Sequence, residues 1–122
     1  MESSINLVKE LTEDKSCIIV GRCANYIYKS KLDCTTVYLH ADLEFRKNRI
    51  KNRYALSDKE ANKKIQEADA KRAAFHERCT GTVWGDANEY QLCIDIGKIG
   101  IYGAVEMILQ YIKSKEGNMH EI

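Results

Sequence analysis

Proline is absent from the 122 residues, and neither a Gly/Ser-rich linker nor an internal repeat interrupts them. Nothing marks a domain boundary, so residues 1–122 are expected to fold as a single domain that buries roughly two-thirds of its extended-chain surface. Long apolar runs are missing too. None approaches the ~18 residues of a membrane-spanning helix, and Met1-Glu2-Ser3-Ser4 opens onto a charged amphipathic segment without a signal-peptide core. Neither sign of charge is in excess: the net of +1 creates no global field to attract nucleic acid or a membrane surface. The five cysteines (Cys17, Cys23, Cys34, Cys79, Cys93) are odd in number and never form C-x-x-C, which argues against a disulfide framework or a zinc site. Cys17 and Cys93 lie in apolar runs, where cysteine behaves as a small hydrophobe. A reduced, cytoplasmic protein is expected.

What the chain does contain is an alternation of short apolar runs and helical patterns. Residues 4–13 set Ile5, Val8 and Leu11 on one helical stripe. Cys17–Val20 is uniformly apolar, the pattern of a strand buried on both faces. Residues 23–29 predict a short helix, with a turn around Lys31–Asp33, and Thr35–His40 predicts a second strand. Asp42 caps a helix to about Tyr54, with Leu43, Ile50 and Tyr54 turned inward. Ser57-Asp58-Lys59-Glu60 is a capping box opening a long helix that ends near Gly81, with Ala61, Ile65, Ala68, Arg72 and Phe75 as its inner stripe. A loop from Thr80 to Tyr90 carries the only tryptophan. Leu92–Ile96 predicts a third buried strand, and Gly100 precedes a last helix with Ile101, Val105, Ile108 and Ile112 at the 3.6-residue repeat. The order αβαβααβα predicts an α/β fold with a parallel sheet, its three strands ordered 1-2-3 along the sequence.

Charge gathers in one place. Residues 43–79 hold eleven Lys/Arg against six Asp/Glu, a local +5 that leaves −4 elsewhere. Many of these lysines are simply the solvated face of two helices. Arg72 differs, because it falls on an apolar stripe, where a buried guanidinium must find an anion. Asp69, one turn earlier, supplies it as a structural pair, or a substrate phosphate does. Arg46 and Arg49 share the inner side of their helix with Ile50 and pose the same question. Planar guanidinium groups suit phosphate oxygens better than lysine's point charge, and phosphoryl transfer needs such a clamp on its dispersed negative charge. Arg22 follows a strand and a glycine, at the carboxyl end of a parallel strand where open α/β sheets bind ligands. The plainer reading is a loop arginine holding a neighbouring carboxylate. His40 also ends a strand, where a lone histidine is more often a hydrogen-bonded edge residue than a catalyst.

The stretches CIIVGRCANYI, VYLHADLEFRKNRI, DAKRAAFHERCTGTVWGD and YQLCIDIGKIGIYGAVEMILQYI, with the T-G-x-x-W-G-D run Thr80–Asp86, resemble the cytidylate kinase-like family over about residues 4–115. The resemblance implies a three-layer, parallel-sheet P-loop kinase fold that uses ATP and Mg2+ to phosphorylate CMP or dCMP. It also implies that Arg22 reaches the nucleoside monophosphate, and that the catalytic groups are Arg46 and Arg49, on the helix leading to the lid, with Asp69 and Arg72, the D-x-x-R of the lid itself. Cytidylate kinases have an aspartate after the strand arginine, where this chain has Cys23, so the base contact differs. The family's glycine-rich phosphate loop has no counterpart here. Gly97-Lys98-Ile99-Gly100 has the wrong spacing for G-x-x-x-x-G-K-[ST]. Without that loop, nothing cradles the β- and γ-phosphates or seats the metal. The expected fold is therefore incomplete at its N-terminus, and the chain is expected to be a truncated member without turnover of its own, with no complete site for ATP or Mg2+. The alternative is a non-catalytic nucleotide-binding or assembly module, completed by a homo-oligomeric or other partner chain. A nucleic-acid role is disfavoured by the near-neutral total and the lack of aromatics among the basic residues.

Overall fold

The computed structural model describes residues 18–20, 24–27 and 34–121. The first helix, α1, is Ala24–Ile27, a single turn inside the predicted 23–29. Strand β1 (Val37–His40) pairs in parallel with β2 (Leu92–Asp95), Tyr38 lying opposite Cys93 and His40 opposite Asp95. Just before the ladder, the carbonyl of Thr36 accepts from the amides of Gln91 and Leu92, at 3.0 and 3.1 Å. Parallel strands cannot be joined by a hairpin. Here the crossover carries two helices, α2 (Leu43–Tyr54) and α3 (Asp58–Thr80), and a single 3-10 turn at Ala87–Glu89.

Local chemistry sets the boundaries of those helices. The Asp42 carboxylate accepts from the Phe45 amide at 2.9 Å and starts α2. Ala55 ends it in the left-handed region, φ 53°, an unusual place for a residue with a Cβ. Ser57 and Glu60 form the predicted capping box, each side chain bonding the other's amide at 3.1 Å. Gly81, at φ 70°, closes α3 by donating its N–H to the Glu77 carbonyl. The last helix, α4 (Ile96–Glu121), is broken at Gly100 (φ 75°, ψ 176°), so the sequence-predicted start after this glycine is correct for its long part.

The core is small: Ala61 and Ile65 of α3, Ile94 of β2 and Ala104 of α4 are buried, with Thr36 and His76 beside them. His76 shares a hydrogen bond with the Thr82 hydroxyl at 2.9 Å, and Thr80 donates to the His76 carbonyl, tying α3 to the loop that follows. The far end of α4 is fastened by polar contacts. Tyr111 and Lys115 both donate to the Gln91 side-chain oxygen, and Lys115 also reaches the Cys34 carbonyl.

Several expectations are corrected. Residues 18–20, predicted as the first of three buried strands, lie outside both strands, and Ile18 and Val20 are almost wholly exposed. The sheet among the described residues is therefore two-stranded, not ordered 1-2-3. An apolar, β-branched run favours a strand, but a strand buried on both faces also needs neighbours and two covering layers. The two strands that do form are only partly covered: Leu39 and Cys93 are exposed and Ile94 is buried. In α2, Ile50 is half-buried, while Leu43 and Tyr54 face solvent. In α4 the buried side centres on Ala104, leaving Ile101 and Val105 exposed. The predicted helix at 4–13, the turn at Lys31–Asp33 and Cys17 fall outside the described residues. Cys34, Cys79 and Cys93 are not in disulfides. Among the described residues, no helix is long and apolar enough to cross a membrane.

Candidate functional site

Three residues, Ala55 to Ser57, separate α2 from α3, so the helices run back antiparallel. Contacts record this order: Arg46, early in α2, meets Asp69 midway along α3, whereas Tyr54 at the end of α2 meets Lys64 near the start of α3. Between them lies a groove of about 260 Å³ lined by Arg46, Arg49, Ile50, Arg53 and Tyr54 from α2 and by Lys64, Ile65, Ala68 and Arg72 from α3. The helical repeat explains the lining. Arg46, Arg49 and Arg53 stand at i, i+3 and i+7, and Lys64, Ala68 and Arg72 at i, i+4 and i+8, each set on one face.

Five of the nine lining residues are cations and none is a carboxylate. Asp69 stands at the Arg46–Arg72 end and bridges the two guanidinium groups, with Oδ1 2.5 Å from Arg46 Nη2 and 3.6 Å from Arg72 Nη1. Arg72 is not the buried guanidinium its stripe predicted: its side chain is 62% exposed, against 33% for Arg46. The stripe argument fails there because α3 is nearly twice as long as α2, so its second half runs past the partner that would cover it. Asp69 is accordingly bound more closely to Arg46 across the groove than to Arg72 on its own helix. Arg46, Arg49 and Arg72 do come together, with Asp69 beside them; Arg22 lies outside the described residues.

The sequence reading left out Arg53 and Lys64 and gave Tyr54 to the core. The i, i+3, i+7 spacing from Arg46 was the signal for Arg53. At the groove's end, Lys64 Nζ lies 4.3 Å from the Tyr54 ring centroid and the Arg53 guanidinium carbon 5.5 Å. Two further lysines are neutralised away from the groove. Lys47 bonds Asp58 at 3.0 Å and Glu44 at 3.3 Å, and Lys51 lies 3.6 Å from Asp58. The Lys47–Asp58 hydrogen bond raises the pKa of Lys47 and lowers that of Asp58.

A second group lies within electrostatic range of the Asp69 end. Tyr38 of β1 stacks with His40 and packs against Trp84 (edge-on, 6.0 Å) and Tyr90 (5.0 Å). Burial pushes the Tyr38 hydroxyl above its ordinary pKa, and the nearby Asp69 carboxylate adds to the shift, with Arg46 and Arg72 opposing it. The T-G-x-x-W-G-D loop is thus anchored on the sheet beside the ion-paired end of the groove.

Chemically, the walls hold no carboxylate, imidazole or thiol, and Tyr54 has their only hydroxyl. What they offer a ligand is positive charge in forked, directional form over an apolar floor. That suits phosphate oxygens and does not suit proton transfer. Among the described residues no cluster of three His, Cys, Asp or Glu side chains could hold a metal ion.

Comparison with known proteins adds a lineage. The sequence model of the cytidylate kinase-like family matches residues 1–98. Among solved structures, the chain is similar to that of an uncharacterized protein from Eubacterium ventriosum, with 30% identity and a TM-score of 0.84. That alignment covers 90% of this chain and 63% of the other, so the chain spans less than two-thirds of that protein's length. No curated protein matches.

Proposed function

Since the chain belongs to the cytidylate kinase-like family, we propose that the α2–α3 groove is a lid that closes over nucleotide phosphates. In the intact domain, a three-layer P-loop kinase fold, the reaction passes the terminal phosphate of ATP to CMP or dCMP. The observation that carries this reading is the groove itself, five cations facing one another with no carboxylate in the walls. Like charges held so close repel, and an anion relieves them. Arg46, Arg49 and Arg72 would share the charge that spreads over the phosphoryl oxygens as the bond to the leaving group loosens. Asp69 would hold Arg46 and Arg72 in position until phosphate replaces it. Arg22 would reach the acceptor's monophosphate, with Cys23 leaving the base contact unlike that of cytidylate kinases.

The groove's donors fit the phosphates of ATP. Magnesium, when bound, would offset phosphate charge; the described residues supply it with no ligand cluster of their own. The sequence also has no glycine-rich phosphate loop. By itself, then, this cytoplasmic chain would bind nucleotide without turnover, and another segment would complete the catalytic site. The exposure of Leu39 supports a completing segment, from the same protein or a second copy, that covers the sheet.

Calorimetric titration with ATP and with inorganic tripolyphosphate tests the reading. Saturable binding lost in Arg46→Ala and Arg72→Ala is expected, together with no ADP release in a coupled assay with CMP. Unchanged affinity in both variants would refute the lid, and turnover of roughly 1–100 per second by the chain alone would refute the need for a completing segment.

A further inference from the structure

The groove's two ends differ in chemistry. Asp69, Arg46 and Arg72 form a polar, ion-paired end. At the other end Tyr54 is half exposed, with Lys64 and Arg53 against its ring. Ile50, Ile65 and Ala68 supply the apolar floor between them. A phosphate chain held by Arg46, Arg49 and Arg72 would have this floor, and the aromatic ring beyond it, available to its remaining, uncharged portion.

We propose that Tyr54 is a stacking platform for the base of the nucleotide whose phosphates lie on those arginines, and that the groove does not select cytosine or adenine. This rests on the groove being a phosphate site. The platform follows from the exposed ring and the apolar floor beside it. The absence of selection for these amino bases follows from what the walls lack. Arginine and lysine donate hydrogen bonds and accept none, and every base edge carries an acceptor for them. Selecting the exocyclic amine of cytosine or adenine requires an acceptor, and no Asn, Gln, Asp or Glu lines the groove, whereas its guanidinium groups can pair with the two acceptors of guanine. Stacking adds no discrimination, since every base presents a π-face.

The test titrates the full chain with inorganic tripolyphosphate, CTP, UTP, ATP and GTP, in wild type, Tyr54→Leu and Tyr54→Phe. Each nucleotide should bind roughly tenfold or more tighter than tripolyphosphate, with CTP and ATP within about threefold of UTP. Tyr54→Leu should abolish that advantage and leave tripolyphosphate binding unchanged, and Tyr54→Phe should keep it. An advantage that survives in Tyr54→Leu, or CTP or ATP preferred over UTP by more than about tenfold, overturns the proposal. Tripolyphosphate binding without any nucleotide advantage overturns the Tyr54 platform alone. No tripolyphosphate binding at all overturns the phosphate site and the platform with it.

Discussion

Gly85 and Gly81 both have positive φ, yet alanine should cost far more at one than at the other. At Gly81 (φ 70°) a Cβ meets nothing within 4 Å, so Gly81→Ala pays only for left-handed backbone, about 1 kcal/mol. At Gly85 (φ 84°) the same Cβ would lie 3.0 Å from the Tyr38 hydroxyl oxygen and 3.2 Å from its ring carbon. Tyr38 cannot retreat freely, because Trp84 and Tyr90 pack on its ring. Gly85→Ala should therefore carry the same backbone strain plus an overpacking cost of about 1–3 kcal/mol. At ~4 °C or more per kcal/mol for a chain this size, its melting temperature should fall about 4–12 °C below that of Gly81→Ala. Trp84, the only tryptophan, gives the readout by fluorescence during thermal unfolding. Adding Tyr38→Phe removes the closer of the two contacts and should return part of the loss. Equal melting temperatures for the two glycine variants would refute the packing of the loop on Tyr38.

Other consequences are open to simple measurement. Ala55→Gly should stabilise the chain by about 1 kcal/mol in denaturant titration, because glycine takes the left-handed cap without a Cβ penalty. Ser57→Ala should cost about 1 kcal/mol by the same assay, through loss of the capping box. The Ser57 hydrogen bonds hold Glu60 below its ordinary pKa of 4.5, and Lys47 holds Asp58 below 3.8. Both contributions are present at neutral pH and vanish as pH falls through the lowered values. Acid unfolding monitored by circular dichroism should therefore be less steep below about pH 4 in Glu60→Gln. Lys47, raised above 10.5, works in the opposite direction, its contribution being lost only as alkaline pH passes that value.

Much of this fold was legible where local chemistry decides it. Asp42, Ser57, Glu60, Gly81 and Gly100 announced helix ends through caps and backbone freedom, and each sits where the structure uses it. Burial was less legible, because it depends on partners the pattern does not name. Ile18, Val20 and Leu39 have strand-core composition and stand exposed, and Arg72 sits on an apolar stripe where only the first turn of α2 is left to cover it. For the groove, spacing announced that Arg46 and Arg49 share a face, and Arg53 follows the same rule. That Lys64 would meet Tyr54 depended on the antiparallel return of α3, a tertiary fact. The choice of Arg46 over Arg72 as Asp69's nearer partner was hidden for the same reason.

The claim that the α2–α3 groove is the nucleotide-phosphate site has one most direct test, an amide-resolved NMR titration of the full chain with inorganic tripolyphosphate. Shifts should concentrate at residues 46–54 and 64–72 and saturate together, and Arg46→Ala should weaken them. Saturating shifts centred on another part of the chain, with these two helix faces unmoved, would contradict it.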